Sequence, residues 1–308
     1  MHLNLIKMNE FYLILIKKDG SIIHNVFATS HKDLIGKYSL NEVVDHRDFF
    51  KAQYCPKEGF TLTDIEEYQL IIRENYIPEW FNGEVVEQAM SNLKSIITSM
   101  FVSTHKALIL NEGVILTRTA KIDEAKNSII FGMFDHSVIK RLDANSEVRI
   151  MTDDSSIEEM HDNTKVVDMY GFTKIIEMHE TSKVVKMFGQ ARVEKMFNNS
   201  RISTLKGDAT INDMRDKSEA ERLRHMSKVE EMHDNSVIEE MWDWTIVGRM
   251  FDQSQINYMD DDAKVLEMHD NSMIQEMHGN TVVETLCENS LVRKLSDKAA
   301  ILRKQLDK

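Results

Sequence analysis

From Asn127 onward the chain repeats a nine-residue pattern of apolar and polar positions without insertion, as in NTKVVDMYG (163–171), MSKVEEMHD (226–234) and NSVIEEMWD (235–243). Nineteen consecutive units run to Asp297. Position 2 is Ser, Thr or Ala in all 19, position 4 is Val or Ile in 18, and position 7 is Met in 14 and Leu in five. The one exception at position 4 is Ala220. Positions 5, 6 and 8 are mixed and often charged, and position 9 with the next position 1 favours Asp and Asn. Residues 118–126 and 298–306 fit the frame poorly, as terminal repeats do when one face has no neighbour.

Strand geometry explains the three columns. Side chains alternate faces with period two, so positions 2 and 4 point the same way, and the apolar position 4 sets that way as inward. Position 2 is small because space near the turn is tight, and its hydroxyl can bond backbone of the adjacent coil. Position 7 lies three residues past position 4, so a bend or bulge is required at positions 5–6. Asp and Asn at positions 9 and 1 suit a turn and tolerate left-handed backbone. Proline occurs only twice in 308 residues, because each coil must donate N–H groups to the next. An α-helix is excluded: nine residues make about 2.5 turns, so no single helix face would collect the Val and Met. The unit KSEAERLRH (217–225) is helix-like in composition alone and is expected to stay in the repeat or bulge from it.

Alternate nines differ. Gly171, Gly189, Gly207 and Gly279 all occupy position 9 at spacings that are multiples of 18, whereas His161, His179, His233 and His269 occupy position 8 of the other set. One coil is therefore two unequal nines. The predicted fold is mainly β: a flattened parallel β-solenoid (β-helix) over residues 106–306, with 18 residues and six inward side chains per coil. At a strand spacing of ~4.8 Å, nine or ten coils would extend on the order of 45 Å.

Residues 1–105 do not repeat and are expected to form a small α+β capping domain. Residues 11–16 and 21–27 flank Lys17-Lys18-Asp19-Gly20 and predict a hairpin with an Asp-Gly turn. A short helix is expected over 30–38, capped by Thr29 or Ser30, and a strand over 68–72. Val86, Met90, Leu93, Ile97 and Met100 mark one face of an amphipathic helix over 84–102, with Glu84 and Glu87 in its first turn. That helix would cover the first coil or pack on the hairpin. Residues 106–116 would form an irregular first coil, and the basic segment 298–308 would fold over the last one and protect its open edge.

The units SKVEEMHDN, NSVIEEMWD and NTKVVDMYG resemble the V-x-x-M-x-x-N-S nonapeptide repeats of uncharacterised phage and prophage proteins, also found in gut bacteria. Those proteins have a similar short N-terminal region, matched here by FYLILIKKDGSII and by Ile77-Pro78-Glu79-Trp80-Phe81. The resemblance covers most of the chain and implies a phage or mobile-element origin. It carries over no activity and no catalytic residue.

The formal net charge of −13 argues against general binding to nucleic acid or anionic membranes, which needs clustered Lys and Arg. Two cysteines, Cys55 and Cys287, make no disulfide framework, so the reducing cytoplasm (of a bacterial host, on the resemblance) is the expected location. The run 11–16 is too short to span a bilayer.

The Met column is read as core, because Leu replaces Met freely, which thioether metal binding would not allow. The His column is read as an outward position that also accepts Phe197, Arg215 and Phe251. Calcium binding would need a Gly-rich turn in every unit, which is absent. No phosphate loop, nucleophile elbow, HExxH or spaced Cys/His set occurs, and Asp45-His46 with Cys55 falls short of a dyad. No catalytic residue, metal ligand or cofactor is assigned.

Charge is patchy. Residues 181–207 hold six basic and one acidic residue, and 226–288 hold 15 acidic and three basic. Over ~17 Å of solenoid, the acidic block approaches the charge density of duplex DNA. The aromatic residues Tyr170, Phe188, Trp242 and Phe251 at position 8, with Trp244 nearby, are expected to be exposed. The resulting expectation is a non-enzymatic protein-binding protein, such as a phage inhibitor of a host defence or DNA-processing factor, acting through its acidic face with DNA mimicry as one mode. Its candidate contacts are Glu230, Glu231, Glu239, Glu240, Trp242, Trp244, Phe251, Tyr170 and Phe188. A small-ligand-binding protein with a site between the N-terminal region and the first coils is a second class. A carbohydrate-active β-helix enzyme, which would need clustered carboxylates in an aromatic groove, is a third. A homo-oligomer through the N-terminal region or a solenoid end is also compatible.

Overall fold

The computed structural model describes residues 12–41, 48–287 and 289–305. Asp45 and His46 lie outside the described residues. The chain divides into two compact units, Met1–Phe101 and Val102–Lys308.

In the first unit, β1 (Leu13–Lys17) and β2 (Ile22–His24) form the hairpin. Its turn is closed by the Lys17 N–H donating to the Ser21 carbonyl at 2.8 Å, and Gly20 takes the positive φ of +75° that the turn requires. β3 (Phe49–Pro56) and β4 (Tyr68–Ile71) extend this to an antiparallel sheet in the order β2-β1-β3-β4. The periodicity gave no sign of β3, because a strand buried along almost its whole length lacks alternation. Helix α1 (His31–Lys37) is capped by the Ser30 hydroxyl, which accepts the Asp33 N–H. Helix α2 (Gly83–Ser99) begins at the Asn82 cap and buries Ala89, Leu93 and Ile97. It docks on the hairpin turn: the Asn92 side-chain amide donates to the Gly20 carbonyl at 3.0 Å.

The second unit is the parallel β-solenoid, with two 12-stranded sheets facing each other. Sheet I runs from Phe101–Val102 to Leu291–Leu295, and sheet II from His105–Leu110 to Ala300–Gln305. There are therefore more coils than the clean repeats alone suggested. The first turns are shorter than the rest. His105 pairs with Lys121, Lys121 with Val138, and only from Ile129 with Glu147 onward does the 18-residue register hold.

Each repeat strand occupies positions 3 to 7. The ladder pairs positions 3, 4, 6 and 7 and skips position 5, as in Glu147 with Lys165, Val148 with Val166, Ile150 with Asp168 and Met151 with Met169. That skip is the irregularity that lets positions 4 and 7 both face inward. The core is accordingly two in-register pairs of columns, Val/Ile and Met/Leu, fully buried through most of the stack. The unit at 217–225 stays in the stack as strand Glu219–Leu223, with Ala220 and Leu223 in the core.

Position 9 is left-handed in unit after unit, with φ near +55° at Asp162, Asn198 and Asp270, and Gly171, Gly189, Gly207 and Gly279 at the same place. The position-2 hydroxyls behave less uniformly than expected. Ser146, Ser155 and Ser290 donate to a carbonyl of the preceding coil, and Thr164 and Thr281 to their own turn. Ser182, Ser200 and Ser236 are among those buried without a partner within hydrogen-bond distance. The segment expected to fold over the last coil instead completes it, as strand Ala300–Gln305 paired with Val282–Cys287. Lys304 stands in register with Leu286 there, in the inward column. A charge in that column opposes the addition of another coil.

Candidate functional site

With positions 2, 4 and 7 committed to the core, chemistry can be written only at positions 1, 3, 5, 6, 8 and 9. Positions 6 and 8 flank the inward position 7, so both point out on the same side and meet. His161 Nε2 lies 3.1 Å from Glu159, His179 Nε2 3.2 Å from Glu177, His233 Nε2 3.2 Å from Glu231, and His269 Nε2 3.1 Å from Glu267. The indole N–H of Trp242 makes the same bond to Glu240 at 3.2 Å, and Arg215 to Asp213 at 2.7 Å.

Successive position-8 rings stack along the solenoid. His161 lies over His179 at 4.7 Å, Tyr170 over Phe188 at 4.8 Å, and Phe251 between His233 and His269 at 4.9 and 5.0 Å. Tyr170, Phe188, Trp242 and Phe251 are therefore half-buried, contrary to their expected exposure. A flat ring covered on one or both faces by its neighbours leaves mainly an edge to solvent. Burial, and then the nearby Asp168 carboxylate, push the Tyr170 phenol up to about 12.

Trp244 differs. It occupies position 1 on the corner that leads from sheet I to sheet II and is 63% exposed. Two other apolar residues stand in the same column, Phe172 at 64% and Met226 at 60%. Met226 is one coil from Trp244; Gln190 and Asp208 separate it from Phe172. Their backbone is fixed by the stack: Phe172, Met226 and Trp244 donate N–H to Asp153, Gly207 and His225 at 3.0, 3.1 and 3.0 Å. At the same corner the Arg224 guanidinium lies 4.5 Å from the centre of the Trp242 ring. Phe172 and Met226 were not singled out from the sequence. Their signal was an apolar residue at position 1, where the repeat otherwise favours polar residues.

The four candidate glutamates do not form one surface. Glu230 and Glu231 belong to strand Lys228–Met232 of sheet II, and Glu239 and Glu240 to strand Val237–Met241 of sheet I. Each has a partner. Glu230 meets Lys228 at 2.8 Å, Glu231 meets Arg249, Glu240 meets Arg224 at 3.6 Å, and Glu239 accepts from Asn257 at 2.7 Å. Position-9 carboxylates are also engaged: those of Asp216, Asp234, Asp252 and Asp270 accept backbone N–H groups of the coil before. The acidic block is thus distributed over two faces and two corners, many of its carboxylates already bound.

Among the described residues, no group of three or more His, Cys, Asp and Glu side chains is placed to hold a metal ion. Cys55 and Cys287 are buried, lie in different units and form no disulfide. Among the described residues no helix is long and apolar enough to cross a membrane. Comparison of the chain with protein-family models, curated proteins and solved structures finds no match.

Proposed function

We propose that this protein is a non-enzymatic binding scaffold that grips a protein partner through the corner carrying Met226 and Trp244. The observation behind this reading is an adjacent pair of large apolar side chains, each about three-fifths exposed, on backbone fixed by the coil ladder. Rigid anchors lose little entropy on binding, and Trp and Arg are the residue types that concentrate binding energy at interfaces. The Arg224–Trp242 pair beside them supplies a polar rim, and Phe172 extends the same edge. The resemblance to phage-type repeats makes a bacterial host protein in the cytoplasm the proposed partner.

The contact lies on a corner and not on the acidic faces. DNA mimicry needs an uninterrupted row of carboxylates on one side, and the pairing of Glu230, Glu231, Glu239 and Glu240 with neighbours works against it. The test is capture from host lysate by the folded wild type and by a Met226→Ser/Trp244→Ser double variant. A specific partner captured by the first and lost by the second is expected. Equal recovery by both proteins would sink the corner as the contact.

A further inference from the structure

The two sheets carry charge in different ways. On sheet II opposite charges are intermixed: Lys174 meets Glu194 at 2.8 Å, Lys195 meets Glu177 at 3.3 Å, Lys228 meets Glu230 at 2.8 Å, and Arg249 contacts Glu231. On sheet I charge is segregated over the seven strands from Lys165–Met169 to Met273–Met277, while the flanking strands carry Glu147 with Arg149 and Arg293 with Lys294. The outward positions 3, 5 and 6 of strands Lys165–Met169, Lys183–Met187 and Arg201–Leu205 hold Lys165, Lys183, Lys186 and Arg201, with Asp168 the one carboxylate. Asp168 is 9% exposed, and burial raises its pKa. The same positions of Glu219–Leu223, Val237–Met241, Gln255–Met259 and Met273–Met277 hold Glu219, Glu221, Glu239, Glu240 and Glu276, with Arg222 the one cation.

The cations are in register. Lys165 stands opposite Lys183, and Lys183 opposite Arg201. Like charges directly across a ladder destabilise it. The outer two are relieved by Glu147 at 3.0 Å and Glu219 at 2.6 Å, whereas Lys183 reaches Glu221, two coils on, only at 3.7 Å. Lys186 likewise reaches Asp168 only at 3.8 Å, so the two central lysines are the least relieved within the chain. Beside the cations runs an uncharged row, Val167, Val185 and Ser203.

We propose that sheet I is the interface of a homodimer, in which a second copy packs face to face and antiparallel. A two-fold axis along the strand direction, between Arg201–Leu205 and Glu219–Leu223, sets Arg201 against Glu219 and Lys186 against Glu240 of the other copy. One rotation sets the cationic half of each face against the acidic half of the other, with Lys165 and Lys183 opposite the uncharged Gln255 and Val237. The axis pairs the six strands from Lys165–Met169 to Gln255–Met259, and six strands at ~4.8 Å with five residues at ~3.3 Å give a face of about 480 Å² per copy. The total of about 950 Å² is the size of a weak, reversible contact. Its charged character makes association sensitive to salt, since the Debye length falls from ~10 Å at 0.1 M to ~3 Å at 1 M. Trp244 and Met226, on a corner, stay outside this face, but Glu240 also touches Arg224 and Trp242 of that corner, so Lys183→Glu/Lys186→Glu is the variant that tests the dimer apart from the partner proposed above.

The experiment is sedimentation equilibrium of the full chain at low and high salt, with circular dichroism to verify folding. A dimer at low salt that dissociates at least tenfold more readily in 1 M NaCl is expected. Lys183→Glu/Lys186→Glu and Glu239→Lys/Glu240→Lys should each be monomeric alone and form a 1:1 heterodimer when mixed. A wild type that stays monomeric at low salt, or a dimer that survives both reversals, overturns the proposal. Tight binding of a single-stranded DNA oligonucleotide by monomeric wild type, lost in Lys183→Glu/Lys186→Glu, would also overturn it and assign the cationic strands to nucleic acid.

Discussion

The Asp234 carboxylate accepts the backbone N–H of Asp216, one coil earlier, at 3.0 Å, while its own N–H donates to Asp252 at 3.0 Å. All three residues are left-handed, with φ of +57°, +56° and +57°. A left-handed residue in a turn directs its N–H away from the sheet ladder, and the carboxylate of the next coil satisfies it. This is why position 9 takes Asp more readily than glycine, although glycine adopts that backbone most easily.

Replacing Asp234 therefore separates two effects. Asp234→Asn keeps an acceptor and tolerates the backbone. Asp234→Gly keeps the backbone and loses the cap. Asp234→Ala loses both, at a combined cost of about 2 kcal/mol. Urea denaturation should rank them Asn, Gly, Ala from most to least stable; an Ala variant as stable as Asn would remove the capping account.

The Met column should accept shape but not loss of volume. Met232 is fully buried in a column where Leu286 fills an equivalent place. Met232→Leu is expected to cost under about 1.5 kcal/mol. Met232→Ala should cost about 2–5 kcal/mol, because the surrounding coils cannot collapse into the space. Denaturation midpoints of the two variants check this, and near-equal values would count against a close-packed interior.

Gly248 occupies an outward position 5, yet a Cβ there would lie 2.5 Å from the Glu230 carbonyl oxygen. The obstacle is backbone, so it cannot turn aside. Gly248→Ala should destabilise by about 1–3 kcal/mol, read as a lower thermal midpoint. No change in midpoint would mean that the neighbouring strand yields.

Acid should weaken the solenoid through named carboxylates. The hydrogen bond from His233, followed by the Arg249 charge, holds Glu231 below its ordinary range despite partial burial. Burial disfavours the Asp143 charge, but the Ala144 N–H and Arg141 outweigh it and hold the pKa at about 2. A depressed folded-state pKa stabilises fully above the unfolded value and is lost as pH falls through the folded value. For Asp143 that window runs from its ordinary value near 3.8 down to about 2. Stability should thus fall between pH ~4 and ~2, and Asp143→Asn should flatten the lower part of that fall. An unchanged pH profile in Asp143→Asn would remove Asp143 from the explanation.

The sequence by itself determined the solenoid, because its core is written one coil at a time. Val or Ile at position 4 and Met or Leu at position 7 state which side chains point in. The alternation of Gly171, Gly189 and Gly207 with Asp162, Glu180 and Asn198 states that two nines make a coil. β3 was not legible because burial along nearly its whole length erases alternation, and the short first turns at His105 and Lys121 were not because their residues leave the frame. Only the tertiary structure decided which surface residues become neighbours. Residues 18 apart stand side by side, whereas residues nine apart stand on opposite sheets. The run containing Glu230, Glu231, Glu239 and Glu240 therefore looks like one acidic patch in sequence and is divided in space. Met226 and Trp244, 18 apart and unremarkable as a pair along the chain, meet on one corner.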